Sequence, residues 1–400
     1  MEKFNPKKFV DKQVGFIKKT VGSERALVAV SGGVDSVTSA ALTYRAVGKN
    51  LLCVMLDDAF MREGEPEQVA KLLSQPPLNM SVQVLNVKQR FLDALKGLRD
   101  AEEKRKVFRE NFYQVLKETA EKEGCQFLVQ GTIQADIVET KGGVKTQHNV
   151  LEQIGIRTKR RYGFQVVEPL APLYKEQVRR VARHLGIPAK ISERQPFPGP
   201  GLSVRAVGEI RTDKLKALKK ATVVVEENFA QHKPSQYFAA IIDDEEMLGH
   251  RRLPQIQQNI AKFLDVPSRH VSVKVFRDKA TGVRENKRCY GEVVAVQAQT
   301  VDEQIHQPTL QKLVSLQNEI IMQNPSVAHV WYMIKRAPRK QLYVIVMRAI
   351  QTRDFLTAQV AEIPWSTLKQ TAQRILESCS NVSSVYYDVT PKPPATIEME

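Results

Sequence analysis

The sequence predicts an α/β protein: a parallel sheet with helices on both faces over residues 1–200, then an α+β region with an internal duplication. Three observations lead there. Strand-length apolar runs alternate with helical patterns through the first half, a proline- and glycine-rich break falls near residue 200, and two stretches of the second half match each other. Strand, helix and strand in succession imply parallel pairing.

The elements follow in order. Ala26-Leu27-Val28-Ala29-Val30 is a short apolar run, followed at once by a glycine turn and a helix beginning near Asp35. Leu51 to Leu56 is a second strand, Ser81 to Val87 alternates as a third, and Gln126 to Gln130 is a fourth. Helical patterns lie between them, from Pro66 to Leu73, Phe91 to Leu98 and Ala101 to Glu121. Ligands on such a sheet bind beyond the carboxyl ends of the strands, which is where the glycine turn falls.

The break is Pro196-Phe197-Pro198-Gly199-Pro200-Gly201, which excludes helix and interior strand. Beyond it, Gly291 to Thr300 matches Tyr343 to Thr352, fifty-two residues later. Each is followed by an amphipathic helix (Leu310 to Met322; Leu368 to Ser378) and a short strand (Ser326 to Tyr332; Asn381 to Tyr387). A duplicated strand–helix–strand unit is expected, dividing the second half into 201–340 and 341–400.

Composition narrows the class. With 42% hydrophobic and 26% charged residues the chain is globular, and no apolar run approaches a membrane span. Met1 to Pro6 has no signal-peptide core, so a cytoplasmic location is expected. The cysteines Cys53, Cys125, Cys289 and Cys379 form no CxxC pair, which argues against structural zinc and for reduced thiols. A net charge of +16 suits nucleic acid or polyanionic nucleotides alike, and no RNA-binding signature accompanies it.

The chemistry starts at Ser31-Gly32-Gly33-Val34-Asp35-Ser36. Glycines let the backbone approach an anion closely, and the helix start aims free N–H groups and the positive end of its dipole at it. Ser31 and Ser36 add hydroxyl donors. Asp35 would repel phosphate unless it supports a magnesium ion that bridges the two. No lysine follows the glycines, so this is not a Walker loop.

The hexapeptide resembles the PP-loop of the N-type ATP pyrophosphatases, the adenine nucleotide α-hydrolase-like fold. The chain as a whole resembles the ATP-pyrophosphatase and dimerisation regions of the GMP synthetases. Glu102-Glu103-Lys104-Arg105-Lys106, Gln130-Gly131-Thr132-Ile133-Gln134-Ala135-Asp136-Ile137-Val138-Glu139, Arg194 to Leu202 and the terminus Tyr387 to Glu400 carry that resemblance. It implies ATP and Mg2+ as cofactors, adenylation of the C2 oxygen of xanthosine monophosphate, and displacement of AMP by ammonia to give GMP. It implies that Ser31, Gly32, Gly33, Val34, Asp35, Ser36 and Gly131 hold ATP and pyrophosphate, with Asp35 toward the metal. Asp136, Glu139, Lys141, Lys145 and His148 are the implied catalytic set around a mobile lid. Arg105, Arg194, Lys392, Thr396, Ile397 and Glu398 are implied to bind the nucleotide substrate. A homodimer, or one chain mimicking a dimer through its repeat, is also implied.

Departures define the expectations to test. The family's KSHHN-type lid reads Lys145-Thr146-Gln147-His148-Asn149, with one histidine replaced by a glutamine that exchanges no proton near neutral pH. Ala59 stands where the family has glycine, the VGVxGD segment is not recognisable, and Met399 replaces a tryptophan. No cysteine lies in a glutaminase GxCxG turn, so ammonia is expected from a separate glutaminase subunit or from solution. Two other readings remain open at this point: a PP-loop enzyme adenylating a modified purine or tRNA, and a non-catalytic nucleotide-binding paralogue.

Overall fold

A computed structural model describes residues 4–141, 157–247, 253–285, 287–353 and 356–400. The first half runs α1 (Pro6–Val21), β1 (Arg25–Ala29), α2 (Val34–Val47), β2 (Leu51–Asp57), α3 (Glu65–Leu73), β3 (Val82–Asn86), α4 (Lys88–Leu95) and α5 (Ala101–Glu123). It continues with β4 (Cys125–Val129), α6 (Gln134–Lys141), α7 (Thr158–Tyr162), β5 (Gln165–Val167), α8 (Lys175–His184) and α9 (Ala189–Ser192). The four expected strands and the helices between them are present. β5 is too short to leave a pattern in the sequence.

The chain separates into two units, Met1–Ala94 with Lys106–Pro200, and Leu95–Arg105 with Gly201–Glu400. In the first, the strands are all parallel in the order β3-β2-β1-β4-β5. β1 is central and apolar because both its faces are covered. The apolar faces of α1 (Val10, Ile17), α2 (Val37, Leu42) and α8 (Val178, Val181) share one core with Val28, Cys53 and Met55 of the strands. The order runs outward on either side of β1, so the crevice between β1 and β4 is the switch point at which such sheets take ligands.

The second unit contains α10 (Thr212–Phe229), β6 (Gln236–Asp243), α11 (Leu253–Leu264), β7 (Val271–Val275), β8 (Ala280–Arg284) and β9 (Lys287–Ala298). It ends with α12 (Leu310–Gln323), β10 (Val327–Arg336), β11 (Tyr343–Gln351), β12 (Gln359–Val360), α13 (Trp365–Ser378) and β13 (Val382–Asp388). The duplication is larger than the sequence match. Each copy is helix, strand, strand, helix, strand: α11-β7-β9-α12-β10, nested between β6 and β11 of α10-β6-β11-α13-β13. In both copies the first strand pairs antiparallel with the second, and the second parallel with the third.

The copies meet where β10 pairs antiparallel with β13, with Tyr332 opposite its counterpart Tyr387. A local two-fold axis passes between those tyrosines. The expected pieces 201–340 and 341–400 therefore contribute strands to one sheet. Register also corrects the sequence match by one residue. Val293 stands opposite His329, and Val344 opposite Ser384, so Gln297 rather than Val296 is level with Arg348. Phe238, Phe276, Trp331, Val346, Tyr386 and the tail residue Met399 form the core beneath this sheet.

Candidate active site

In the first unit, β1 ends at Ala29 and the glycine loop turns into α2. Gly32 has φ 74°, a left-handed conformation that favours glycine, and Gly33 is the N-cap of α2. Its cap is not a side chain, so the first N–H groups of the helix have no intrahelical partner. The hydroxyls organise the loop from within. Ser31 N–H donates to Ser36 Oγ at 3.1 Å, the two Oγ atoms are 3.0 Å apart, and Ser36 Oγ donates to the Gly33 carbonyl at 3.1 Å. The result is a short, positively polarised backbone cradle for an anion.

The neighbours explain the conformation. Gly131, just past β4, lies against the start of α2: a Cβ there would fall 2.8 Å from Ser36 N and 2.9 Å from Asp35 C. Only glycine allows the two crevice walls to close this far. A Cβ on Gly32 would meet Val69 at 3.0 Å and an Arg194 guanidinium nitrogen at 3.7 Å. The structure thus brings Arg194 beside the glycine loop, where buried Glu65 pairs with it and with Arg62. Arg62 stacks over Phe197, 4.1 Å from its ring centroid, so the Arg194-to-Pro200 segment packs against the loop's surroundings.

Asp35 makes one ion pair. Its Oδ2 is 2.6 Å from Lys175 Nζ at the start of α8, and its Oδ1 is buried with no hydrogen-bond partner. A carboxylate oxygen without a partner beside the glycine loop is a donor of the kind a hard cation takes, since Mg2+ is usually held by one or two carboxylates together with substrate phosphates. Among the described residues no three histidine, cysteine, aspartate or glutamate side chains cluster as a metal site. Asp136 accepts from Ile133 N–H at 3.0 Å and so fixes the start of α6. Glu139 and Lys141 belong to α6, but their side chains, like Lys145, Gln147 and His148, lie outside the described residues.

The second unit gathers the remaining predicted residues around the C-terminal tail. Glu102 accepts from Arg105 at 2.8 Å, Arg288 at 3.0 Å and the Tyr290 hydroxyl at 2.8 Å. Burial, then the charge of Arg288, hold the Arg105 guanidinium below its usual range. Two guanidinium groups on one carboxylate leave an unbalanced positive charge, which an anionic ligand would satisfy. Nearby, the Lys104 ammonium donates to the carbonyls of Ala206 (2.9 Å) and Gly208 (2.8 Å) and pairs with the Glu400 carboxylate. Glu398 is gripped by Arg205 at 2.8 and 3.0 Å and by Gln236 at 2.8 Å. Lys392 bonds through its backbone to Ala358, and Thr396 Oγ1 lies 2.9 Å from the Thr281 carbonyl. Ile397 packs against the core through a half-buried side chain.

Nothing in the sequence pattern singles out Lys175, Arg288, Tyr290, Arg205 or Arg348. Lys175 lies 140 positions from Asp35, and Arg288 lies 186 from Glu102, so no local spacing signals either pair. Burial raises the thiols of Cys53 (to about 12), Cys125 and Cys379. That protonates them and makes them poor nucleophiles for sulfur transfer. Among the described residues, no helix is long and apolar enough to cross a membrane.

Comparison with known proteins bears on both units. Residues 7–206 match the family described as NAD synthase, and residues 334–399 match the one described as GMP synthase C terminal domain. Over 99% of its length the chain is 42% identical to the whole of one subunit of the glutamine-hydrolyzing GMP synthase of Sulfurisphaera tokodaii. It is 36% identical to the corresponding subunit of the Methanopyrus kandleri GMP synthase, over 99% of this chain and 100% of that one. A solved NMN synthetase from Francisella tularensis is similar at 16% identity and a TM-score of 0.40, covering 50% of this chain and 79% of its own, which is too slight to carry weight.

Proposed function

This chain belongs to the family of glutamine-hydrolyzing GMP synthase subunits, its first half built on the NAD synthase domain, and we propose that it catalyses ATP-dependent amination of xanthosine monophosphate to GMP. The observation that carries the proposal is the cradle at the β1–β4 switch point. Gly32, the α2 start and Gly131 shape it, and Asp35 on the first turn of α2 carries a buried carboxylate oxygen with no hydrogen-bond partner.

In this reading the N–H groups at the start of α2, with Ser31 and Ser36, hold the leaving pyrophosphate of ATP and stabilise its growing charge. Asp35, steadied by Lys175, supports magnesium, which when bound offsets phosphate charge. Arg194 adds a fixed positive charge beside Gly32. The xanthine C2 oxygen attacks the α-phosphorus, pyrophosphate leaves, and ammonia then displaces AMP. Lys141, Lys145 and His148 are assigned to the lid, His148 as acceptor for the proton that ammonia loses. Gln147 can hydrogen-bond but exchanges no proton near neutral pH.

Arg105 and Arg288 are assigned to the nucleotide phosphate, and Lys392, Thr396, Ile397 and Glu398 to the rest of the monophosphate. Ammonia comes from a separate glutaminase, as the naming of the relatives as one subunit of a glutamine-hydrolyzing enzyme suggests. Three of the four thiols are buried and protonated, which disfavours the alternative of sulfur transfer to tRNA.

The test is pyrophosphate release from ATP and Mg2+ with ammonium chloride, comparing xanthosine monophosphate, inosine monophosphate and no acceptor. Release that requires xanthosine monophosphate and yields equal GMP is expected. Equal release in all three mixtures, or none in any, would sink the assignment.

A further inference from the structure

Three side chains in the centre of the second unit are completely buried and charged or titratable: Arg348 on β11, Asp388 at the end of β13 and His329 on β10. Burying such groups is unfavourable unless every donor and acceptor is matched. Here they are matched to one another, to the Thr281 carbonyl and to the tail. Asp388 Oδ2 accepts from Arg348 Nη1 at 2.6 Å and sits 2.7 Å from His329 Nδ1, and its Oδ1 accepts from Thr390 N–H at 3.0 Å. His329 Nε2 lies 3.1 Å from the Thr281 carbonyl.

The rest of the guanidinium goes to the backbone of the tail. Arg348 Nη1 also donates to the Thr390 carbonyl at 3.0 Å, Nη2 to the Thr396 carbonyl at 2.8 Å, and Nε to the Ile397 carbonyl at 3.0 Å. One rigid planar group thereby ties both ends of the turn that carries Lys392. Beyond it, Glu400 is held independently by Lys104 and by Gly208 N–H.

The local two-fold axis supplies an internal control. The counterparts of Arg348, Asp388 and His329 in the other copy are Gln297, Met333 and Ser384, none of them charged. Packing a symmetric sheet therefore does not require this triad. It occurs only where the chain has a tail to fix.

We infer that Arg348, seated by Asp388 and His329, is a positioning residue for the acceptor nucleotide, holding residues 390–397 in binding shape before substrate arrives. This rests on the proposed role of the tail in binding the monophosphate. A rigid, pre-formed tail removes the ordering penalty that a loose one would impose on binding.

Two measurements on the full chain test it. In the first, KM values for xanthosine monophosphate and ATP are compared, with ammonium chloride as nitrogen source. Arg348→Lys keeps the charge and loses the fork, so the acceptor KM should rise about tenfold while the ATP KM stays within about twofold. Adding Lys392→Ala to Arg348→Lys should then change little, because both act through the same segment. Parallel rises in both KM values, or effects that simply multiply, would overturn the inference.

The second measurement needs no variant: carboxypeptidase digestion of the unmodified chain without nucleotides. Retention of the last residues is expected, and release as fast as from urea-unfolded chain would overturn the inference. If Lys392→Ala alone leaves the acceptor KM unchanged while the tail still resists digestion, the anchor stands and the tail's assigned substrate role is what fails.

Discussion

In the proposed reading the glycine loop and the C-terminal tail each hold a nucleotide, and they use different parts of the chain. At the loop the backbone forms the site: left-handed Gly32, the bare start of α2 and the close approach of Gly131. At the tail, side chains form it: Arg348, Asp388, Lys104 and Arg205 are buried, and each is matched to a charge or carbonyl. A backbone site is broken most directly by added volume, and a site made of buried ion pairs by loss of one charge.

The largest expected effect attacks the charged site. Asp388→Asn leaves Arg348 buried without its counterion, which should destabilise the second unit by about 3–5 kcal/mol. The same carboxylate makes a signed pH prediction. Burial alone would raise its pKa, but Arg348, His329 and the Thr390 N–H outweigh burial and hold it below the usual range. A depressed folded-state pKa stabilises the protein above the unfolded carboxyl value, about 3.9, and that stability is lost as pH falls through the folded value. Melting temperature should therefore drop on acidification below about pH 4 in the parent chain, and the slope should be shallower in Asp388→Asn. An equal slope in both would assign the acid sensitivity elsewhere.

Next comes the backbone site. Gly131→Ala places a methyl group 2.8 Å from Ser36 N and must move one wall of the crevice. A displacement of that kind should lower kcat/KM for ATP about a hundredfold, with the acceptor KM and the circular dichroism spectrum little changed. Steady-state kinetics in ATP checks it, and an effect confined to the acceptor would contradict the division of labour. Smaller again is Arg288→Ala, which leaves Arg105 and Tyr290 on Glu102. The acceptor KM should rise about tenfold without a shift in the ATP KM, and raised salt should shrink the difference.

The same contrast explains what is legible in the sequence. β1, the glycine loop and α2 are contiguous, and their signal is local: an apolar run, two glycines and a helix pattern. The tail is recognisable by its resemblance, but its supports are not, because Arg348, His329 and Lys104 become partners only through tertiary folding. The repeat is visible as strand–helix–strand because β9 and β11 retain similar apolar runs. Its nested extent is hidden, since the whole of α11 to β10 separates β6 from β11. The resemblance assigns Arg194 to the nucleotide substrate, and the structure brings it beside Gly32 through a buried carboxylate, Glu65, that has no motif of its own.

The smallest prediction concerns a backbone strain at a departure from the family. Ala59 replaces a glycine just past β2 and has φ 77°, where an L-residue suffers contact between Cβ and its own backbone. Its neighbours hold it there: Asp57 pairs with Lys88 at 2.7 Å, and Asp58 Oδ1 accepts from Phe60 N–H at 2.9 Å. Glycine would relieve roughly 1–2 kcal/mol of strain but would also gain freedom in the unfolded chain, which offsets about 0.5–1 kcal/mol. Ala59→Gly should therefore stabilise the first unit by less than about 1.5 kcal/mol, raising its melting temperature by a few degrees, with no change in the second unit's transition. Calorimetry that resolves the two transitions decides it. A gain in the second transition would mean that the units do not respond separately, and a loss in the first would mean that the Ala59 methyl group contributes packing that outweighs its strain.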